Sequence, residues 1–215
     1  MDLNNVYAKM FMWLGIGLLV TFLTGYTVSI NQNMLEFMFT GSTWLICVIA
    51  EVVLVIFLSA RIMKMSPTTA NICFILYSFV TGLTFSSIFV VYEITSIIYI
   101  FGLAAGLFII FALIGHFIKM DLTKLGTFLI MILLGVIICF IVNMFIGSET
   151  FNIGLTIICF IVFLLYVAYD INKVKYLLDR FPSSDNLAIY GALQLYLDFI
   201  NIFIDLLRLF GKNKN

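Results

Sequence analysis

The sequence predicts an all-α integral membrane protein: seven transmembrane helices, six of them wrapped around a central C-terminal helix. Of the 215 residues, 64% are hydrophobic and only 10% are charged, whereas a typical soluble domain carries about 25% charged residues. Apolar runs of about 20 residues, the length that crosses a bilayer, recur along the whole chain. The last of these runs carries a continuous polar face, which must be shielded from lipid.

Seven apolar segments are predicted to span the membrane. The first is too long for the apolar region of a cleaved signal peptide and therefore predicts a spanning helix. The predicted spans cover about 9–30, 42–61, 68–91, 95–117, 125–147, 151–176 and 186–210. Because the connections between them are too short for another folded unit, we expect 1–215 to form a single transmembrane domain.

The connections alternate in charge, and this alternation predicts the orientation. Three connections are acidic, and their charged residues are Glu36, Glu93 and Glu149. The other three are rich in basic residues, namely Arg61, Lys64, Lys119, Lys124, Lys173, Lys175 and Arg180. The positive-inside rule then places the N-terminus and the basic connections in the cytoplasm. Seven full spans put the C-terminus outside, whereas a re-entrant last segment would return the basic tail to the cytoplasm.

Polar residues follow one face of the last segment. They recur at helical spacings of 4, 4, 3, 4 and 3, and they are Tyr190, Gln194, Asp198, Asn201, Asp205 and Arg208. The sixth segment carries a shorter matching strip of Tyr166, Asp170 and Lys173. Since an unsatisfied polar group in hydrocarbon costs several kcal/mol, these faces must meet other helices or water. This requirement places the last helix at the centre of the bundle.

Asp170 and Asp198 are the strongest candidates for function. Ser184, in the polar stretch between the last two segments, lies midway between them along the chain. Antiparallel helices that turn there would hold both carboxyl groups at one depth. An ionised Asp at the bilayer centre costs about 2.5–3.5 kcal/mol, so two at one level indicate a role. Carboxyl groups within hydrogen-bonding distance share a proton and titrate as a unit.

The deprotonated pair needs a cation. Arg61, at the cytoplasmic end of the second segment, is the candidate within the protein. Ca²⁺ is the candidate ion, because it prefers carboxylate oxygens among its ligands. Its full coordination shell holds about 6–8 oxygen atoms of all kinds. Two aspartates supplemented by Asn201 or Gln194 fall short of a tight cage, and weak coordination favours passage over storage. We therefore expect no tightly bound cofactor and Ca²⁺ as a transported ion.

Three further charged residues lie within the apolar segments. Glu51 is near the middle of the second segment, and Asp205 and Arg208 are near the outer end of the seventh. Asp205 and Arg208 are three residues apart and can pair locally; alternatively, Arg208 reaches Glu51 and neutralises it. These residues are candidates for ion pairs or for the lining of an ion path.

Several functional classes are excluded or disfavoured. The 11 acidic and 11 basic residues balance, which argues against nucleic acid as a partner. The sequence has a single histidine and neither HExxH nor Gly-x-Ser-Gly, so zinc and serine proteolysis are excluded. An intramembrane aspartyl protease needs Gly-x-Gly-Asp at its second aspartate, but this chain has Tyr196-Leu197-Asp198. We therefore do not expect an enzyme.

Three stretches of the chain resemble the Bax inhibitor-1 (transmembrane Bax inhibitor motif) family. They are TGLTFSSI at 81–88, AYD at 168–170, and ALQLYLDFIN at 192–201 with the following Phe210-Gly211. The resemblance covers essentially the whole chain, including the number of spans and the order of charges. It implies a seven-helix fold with the last helix central and, as in bacterial relatives, a pH-sensitive Ca²⁺ leak across the plasma membrane.

The resemblance also implies roles for individual residues. The family's two-aspartate pH sensor maps onto Asp170 and Asp198, and its arginine latch on the second helix maps onto Arg61, with Lys64 one turn away as the alternative. Glu51 matches a further charged position, as does Arg208 at the end of the chain. The implied surroundings are the lipid bilayer, Ca²⁺ and H⁺, with a membrane protein as a further partner.

Three functions remain open at the level of sequence. The prediction is a pH-gated Ca²⁺ leak, in which the ionised aspartate pair holds Arg61 and protonation releases it. A proton-coupled Ca²⁺ exchanger would use the same pair for stoichiometric exchange. A non-transporting regulator of another membrane protein, such as a membrane protease, would use the pair only to pack helices.

Overall fold

The structure is a computed structural model, and it describes residues 2–181 and 186–214. Its helices are α1 (Leu3–Ile30), α2 (Gln32–Phe39), α3 (Thr43–Arg61), α4 (Pro67–Val91), α5 (Ile94–Phe117), α6 (Thr123–Ile146), α7 (Glu149–Arg180) and α8 (Asn186–Phe210). A short 3₁₀ helix, Ile62–Lys64, follows α3 directly. Within the described residues there is no β-strand, only an isolated bridge between Tyr92 and Asn213. The predicted all-α class is confirmed.

Seven of these helices are long and apolar enough to cross a membrane, which confirms the predicted number of spans. Two of them extend further than predicted, because α1 begins at Leu3 and α7 continues to Arg180. The eight-residue helix α2 was not predicted, since it is too short to span. The side chain of Asn31 caps it by accepting a 3.2 Å hydrogen bond from the backbone nitrogen of Met34.

Helix α8 is by far the most buried of the seven spans. In its most apolar window of 18 residues, 72% are buried, against 11 to 44% in the other six. This burial agrees with a central last helix and explains how the helix tolerates a polar face. Ser184, the predicted midpoint of the turn before α8, lies outside the described residues.

The chain divides into two compact units. The N-terminal unit holds α1 to α4, the end of α7 from Leu177, and α8 as far as Tyr196. The C-terminal unit holds α5, α6, the rest of α7, and α8 from Leu197 onwards. The last two helices therefore contribute residues to both units.

Close packing of α1 against α4 organises the N-terminal unit. A Cβ atom added to Gly82 of α4 would lie 2.6 Å from the Cβ of Thr24 and 2.8 Å from the carbonyl oxygen of Thr21. Neither distance is sterically allowed, so glycine is required for the two helices to approach this closely. Gly82 lies within the 81–88 stretch that carries the family resemblance.

Polar contacts from α7 hold the connection between α5 and α6 in the C-terminal unit. The side-chain amide of Asn172 donates to the carbonyl oxygen of Ile118 (3.1 Å) and accepts from the backbone nitrogen of Leu122 (3.3 Å). One turn further, Lys175 donates to the carbonyl oxygens of His116 and Gly115. These contacts fix the rotation of α7, and with it the direction of Asp170.

The tail after α8 returns to the end of α4. Lys214 donates a 2.9 Å hydrogen bond from its backbone nitrogen to the carbonyl oxygen of Val91, and its Nζ donates to that of Phe89 at 2.7 Å. Helix α8 is continuous over 25 residues, about 37 Å at 1.5 Å per residue. This length favours a full span over a re-entrant segment, and the side on which each terminus lies stays a prediction.

Candidate functional site

The structure brings Asp170 and Asp198 together. Asp170 lies on α7 and Asp198 on α8, both within the C-terminal unit, and a side-chain hydrogen bond joins them. Each residue is only 4% exposed. A hydrogen bond between two carboxyl groups forms only when at least one of them holds a proton.

One atom of the pair has no protein partner. Oδ2 of Asp198 is buried and makes no hydrogen bond. A buried acceptor without a donor is costly, and more so when it belongs to an ionised group. The arrangement therefore suits the protonated pair, whereas the fully ionised pair would need an additional positive group at this oxygen.

Lys173 is the cation beside the pair within the C-terminal unit. It follows Asp170 by three residues on α7 and interacts electrostatically with both aspartates. Its Nζ lies 5.2 Å from the ring centroid of Tyr169, a distance at which a cation is attracted to the ring face. Tyr166, one turn earlier, also interacts electrostatically with both aspartates and with Lys173. From the sequence, Lys173 was assigned to the polar strip and to a basic connection, but not to the aspartate pair; the structure places it within α7.

The predicted latch lies on α3, in the N-terminal unit. Arg61 is in the last turn of this helix, and its side chain is exposed. Lys64, the alternative, is also exposed and ends the 3₁₀ helix that follows. A latching role for either residue stays a prediction.

Asn186 connects α8 to the chain segment that follows Arg61. It is the first residue of α8 and is 5% exposed. Its Nδ2 donates to the carbonyl oxygens of Ile62 (2.8 Å) and Met65 (2.7 Å), all within the N-terminal unit. Sequence reasoning missed this contact, because an asparagine at the start of a helix ordinarily indicates a local cap.

Two pairings were predicted for Arg208, with Asp205 or with Glu51. Asp205 is 5% exposed and interacts electrostatically with Arg208 three residues later, although its Oδ2 has no hydrogen-bond partner. Glu51, in the N-terminal unit, accepts hydrogen bonds from Thr81 and Thr84. The pairing of Arg208 stays a prediction.

The residues predicted to assist in Ca²⁺ binding contribute little to a closed cage. Asn201 is half-buried and uses its amide nitrogen to donate to the carbonyl oxygen of Leu197 (2.7 Å). Gln194 is half-buried and belongs to the N-terminal unit. Over the described parts of the chain, no group of three or more His, Cys, Asp or Glu side chains is arranged to hold a metal ion.

Comparison with known proteins identifies relatives over nearly the full length. A family model described as "Inhibitor of apoptosis-promoting Bax1" matches residues 3–215. The chain is 40% identical over 218 aligned positions to the inner membrane protein YbhL of Escherichia coli, covering 99% of this chain and 93% of that protein. It is 38% identical over 217 positions to a protein of Borreliella burgdorferi, covering 99% and 94%. A Deinococcus radiodurans protein is 33% identical over 211 positions, covering 97% and 90%. The chain therefore belongs to the Bax inhibitor-1 family of multi-pass membrane proteins.

Proposed function

We propose that this protein is a pH-gated Ca²⁺ leak channel of the bacterial plasma membrane, with Asp170 and Asp198 as its proton sensor. The observation that carries the proposal is the hydrogen bond between two carboxyl groups that are each 4% exposed. Helix packing alone does not favour two acidic groups in contact, because like charges repel unless they share a proton. A pair whose charge changes with pH is a means of converting proton concentration into conformation.

Gating follows from the charge of the pair. At alkaline pH the deprotonated pair is negative and attracts a cation, and we assign this part to Arg61 on α3. Protonation neutralises the pair and removes the attraction, so that Arg61 is released and α3 moves outward at its cytoplasmic end. In this scheme the inner mouth is closed at high pH and open at low pH.

Lys173 adjusts the pH at which the aspartate pair is protonated and the channel opens. A cation next to two carboxyl groups stabilises their ionised form. Because Lys173 interacts electrostatically with both aspartates, it makes protonation harder and moves channel opening to lower pH. Arg61 and Lys173 thus have separate roles, as a movable latch and as a resident counter-charge.

Ca²⁺ is the proposed permeant ion, since a carboxyl pair gives a divalent cation oxygen contacts without enclosing it. Weak and incomplete coordination lets an ion leave as readily as it enters. The relative YbhL is named as an inner membrane protein, which supports a plasma-membrane location here. The basic connections then face the cytoplasm by the positive-inside rule.

The test is Ca²⁺ entry into proteoliposomes loaded with a fluorescent Ca²⁺ indicator, at several values between about pH 6 and about pH 8, where coupled carboxyl groups can titrate. The native chain is compared with the Asp170→Asn/Asp198→Asn variant. Asp179→Asn is the control, because it removes an exposed carboxyl group from α7 outside the pair. We expect the double variant to lose the pH dependence and the control to retain it.

The same vesicles distinguish the leak from the other two functions. A leak passes Ca²⁺ down its gradient with equal pH on both sides and moves no protons in a fixed ratio. Obligatory proton movement with each Ca²⁺ would instead establish an exchanger. Folded protein that gives no flux at any pH would establish that the chain is not a channel and would favour a regulator of another membrane protein.

A further inference from the structure

Glu51 lies in an oxygen-rich cluster that the aspartate pair does not include. It is a half-buried residue of α3, the span with the smallest buried share, at 11% of its most apolar window. Its Oε1 accepts a hydrogen bond from Thr81 Oγ1 and its Oε2 accepts one from Thr84 Oγ1, each at 3.0 Å. Both oxygens of this intramembrane carboxyl group therefore have a hydroxyl partner from α4.

The hydroxyl of Thr84 has two acceptors within reach. One is Oε2 of Glu51 at 3.0 Å, and the other is the carbonyl oxygen of Thr81 at 2.9 Å. A hydroxyl group has one hydrogen and can also accept. When Glu51 is ionised, Thr84 donates to it. When Glu51 is protonated, its O–H donates to Thr84, and Thr84 turns its hydrogen to the carbonyl oxygen of Thr81.

The hydroxyl group of Thr81 also has hydrogen-bond partners in both protonation states of Glu51. It donates to Oε1 of Glu51, which remains an acceptor whether or not the other oxygen is protonated. The hydroxyl groups of Tyr77 and Tyr196 form hydrogen bonds with Thr81. Glu51 can thus gain or lose a proton by rotation of hydroxyl groups alone, and each polar group keeps a hydrogen-bond partner.

Three titratable groups in the described part of the N-terminal unit interact electrostatically with Glu51. These groups are Cys47 on α3 itself, Tyr77 on α4 and Tyr196 on α8. Helix α1 adds the hydroxyl of Thr21, which is hydrogen-bonded to that of Tyr196. The hydrogen-bond partners of the Glu51 carboxyl group are hydroxyl groups, which suit either protonation state.

We propose that Glu51, Thr81 and Thr84 form a second proton-binding site, which lies in the N-terminal unit and is separate from the aspartate pair. The observation that supports it is the pair of hydroxyl donors on the Glu51 carboxyl group, one on each oxygen. The donor Thr84 also has a second acceptor, the carbonyl oxygen of Thr81. The ligand is a proton. The site does not depend on Ca²⁺ permeation.

The test uses dicyclohexylcarbodiimide, a membrane-soluble reagent for protonated carboxyl groups, on the full chain in lipid nanodiscs. The carboxyl proton moves to a carbodiimide nitrogen and the carboxylate oxygen bonds to the central carbon; an O-to-N acyl shift then gives a stable N-acylurea. Nothing leaves, so the whole reagent mass is added. We expect mass spectrometry to find this addition at Glu51, decreasing as pH rises, and to find none at this position in Glu51→Gln.

Three threonine variants give the site its specific test. Thr84→Val removes a hydrogen-bond partner from both protonation states of Glu51. The ionised carboxylate loses more, because hydrogen bonds to a charged group are stronger, so we expect the midpoint of labelling to move up by about one pH unit. Thr84→Ser retains the hydroxyl and should retain the midpoint. Thr156→Val is the matched control, because Thr156 is a buried threonine of α7 whose hydroxyl donates to the carbonyl oxygen of Asn152, and it should leave the midpoint unchanged.

Infrared spectroscopy separates proton binding from reagent chemistry. The difference between the native chain and Glu51→Gln should contain a protonated carboxyl C=O band that decreases as pH rises, with the same midpoint as the labelling. Absent labelling in folded protein, a band that is constant over the whole range, or an unchanged midpoint in Thr84→Val would each overturn the proposal. None of these readouts requires Ca²⁺ flux, so this proposal and the proposed channel can fail independently.

Discussion

The side chain of Asn186 donates a 2.8 Å hydrogen bond to the carbonyl oxygen of Ile62, which lies 124 residues earlier in the chain. A second bond from the same nitrogen reaches the carbonyl oxygen of Met65 at 2.7 Å. The start of α8, the helix that carries Asp198, is thereby attached to the segment directly after Arg61. An outward movement of this segment must therefore break these two hydrogen bonds or move the start of α8 with the segment.

Asn186→Ala should therefore loosen the segment around Arg61. We expect higher Ca²⁺ flux at about pH 8 than in the native chain, and faster amide hydrogen exchange over residues 62–66. Loss of the two bonds should lower the free energy of unfolding by about 1–3 kcal/mol. Asn143→Ala is a suitable control, since Asn143 is another buried asparagine that bridges a connection, by bonding to Ser148. Native flux and exchange in Asn186→Ala would contradict the coupling.

Replacement of Lys173 should shift the pH response. Lys173→Met removes the cation next to the pair, so the ionised form loses stabilisation and protonation becomes easier. The midpoint of the flux–pH curve should consequently move to higher pH, by about half a unit to one unit. Lys173→Arg retains the charge and should stay close to the native midpoint. A midpoint that does not move in Lys173→Met would exclude the tuning role.

The latch can be assigned by comparing two neighbouring basic residues. If Arg61 holds the closed state, Arg61→Ala should raise Ca²⁺ flux at about pH 8 towards the value at about pH 6, while Lys64→Ala stays near the native flux. The opposite result would assign the latch to Lys64. Unchanged flux in both variants would remove a basic latch on this segment from the gating scheme.

Packing of α1 against α4 gives a prediction about stability. Gly82→Ala places a Cβ atom 2.6 Å from that of Thr24, and the resulting overpacking should lower the free energy of unfolding by about 1–3 kcal/mol. Gly102→Ala is the control, because a Cβ atom on this α5 glycine would meet nothing within 4 Å and alanine favours helix formation. The melting temperatures of the two variants and of the native chain are measured in identical lipid nanodiscs. Equal melting temperatures for the two variants would show that this close approach is not needed.

The spans were predictable because hydrophobicity over about 20 residues is a strong and local signal. The burial of α8 was predictable from the helical period of its polar residues, since lipid excludes such a face. Helix α2 escaped prediction because eight residues leave too short a pattern.

The polar contacts between helices were mostly not predictable. Periodicity shows which residues share a face, but not how each helix is rotated against its neighbours. The contact of Thr84 with Glu51 and that of Asn186 with Ile62 depend on this rotation. The meeting of Asp170 with Asp198 could be anticipated only because antiparallel helices that turn midway between them place both at one depth.

The most direct measurement of the central claim is the ratio of initial Ca²⁺ entry rates at about pH 6 and about pH 8, with equal pH on both sides of the vesicle membrane. It is measured for the native chain and for the Asp170→Asn/Asp198→Asn variant in the same lipids. We expect a ratio well above one for the native chain and a ratio near one for the variant. A variant that retains the native ratio would contradict the claim that this pair senses pH.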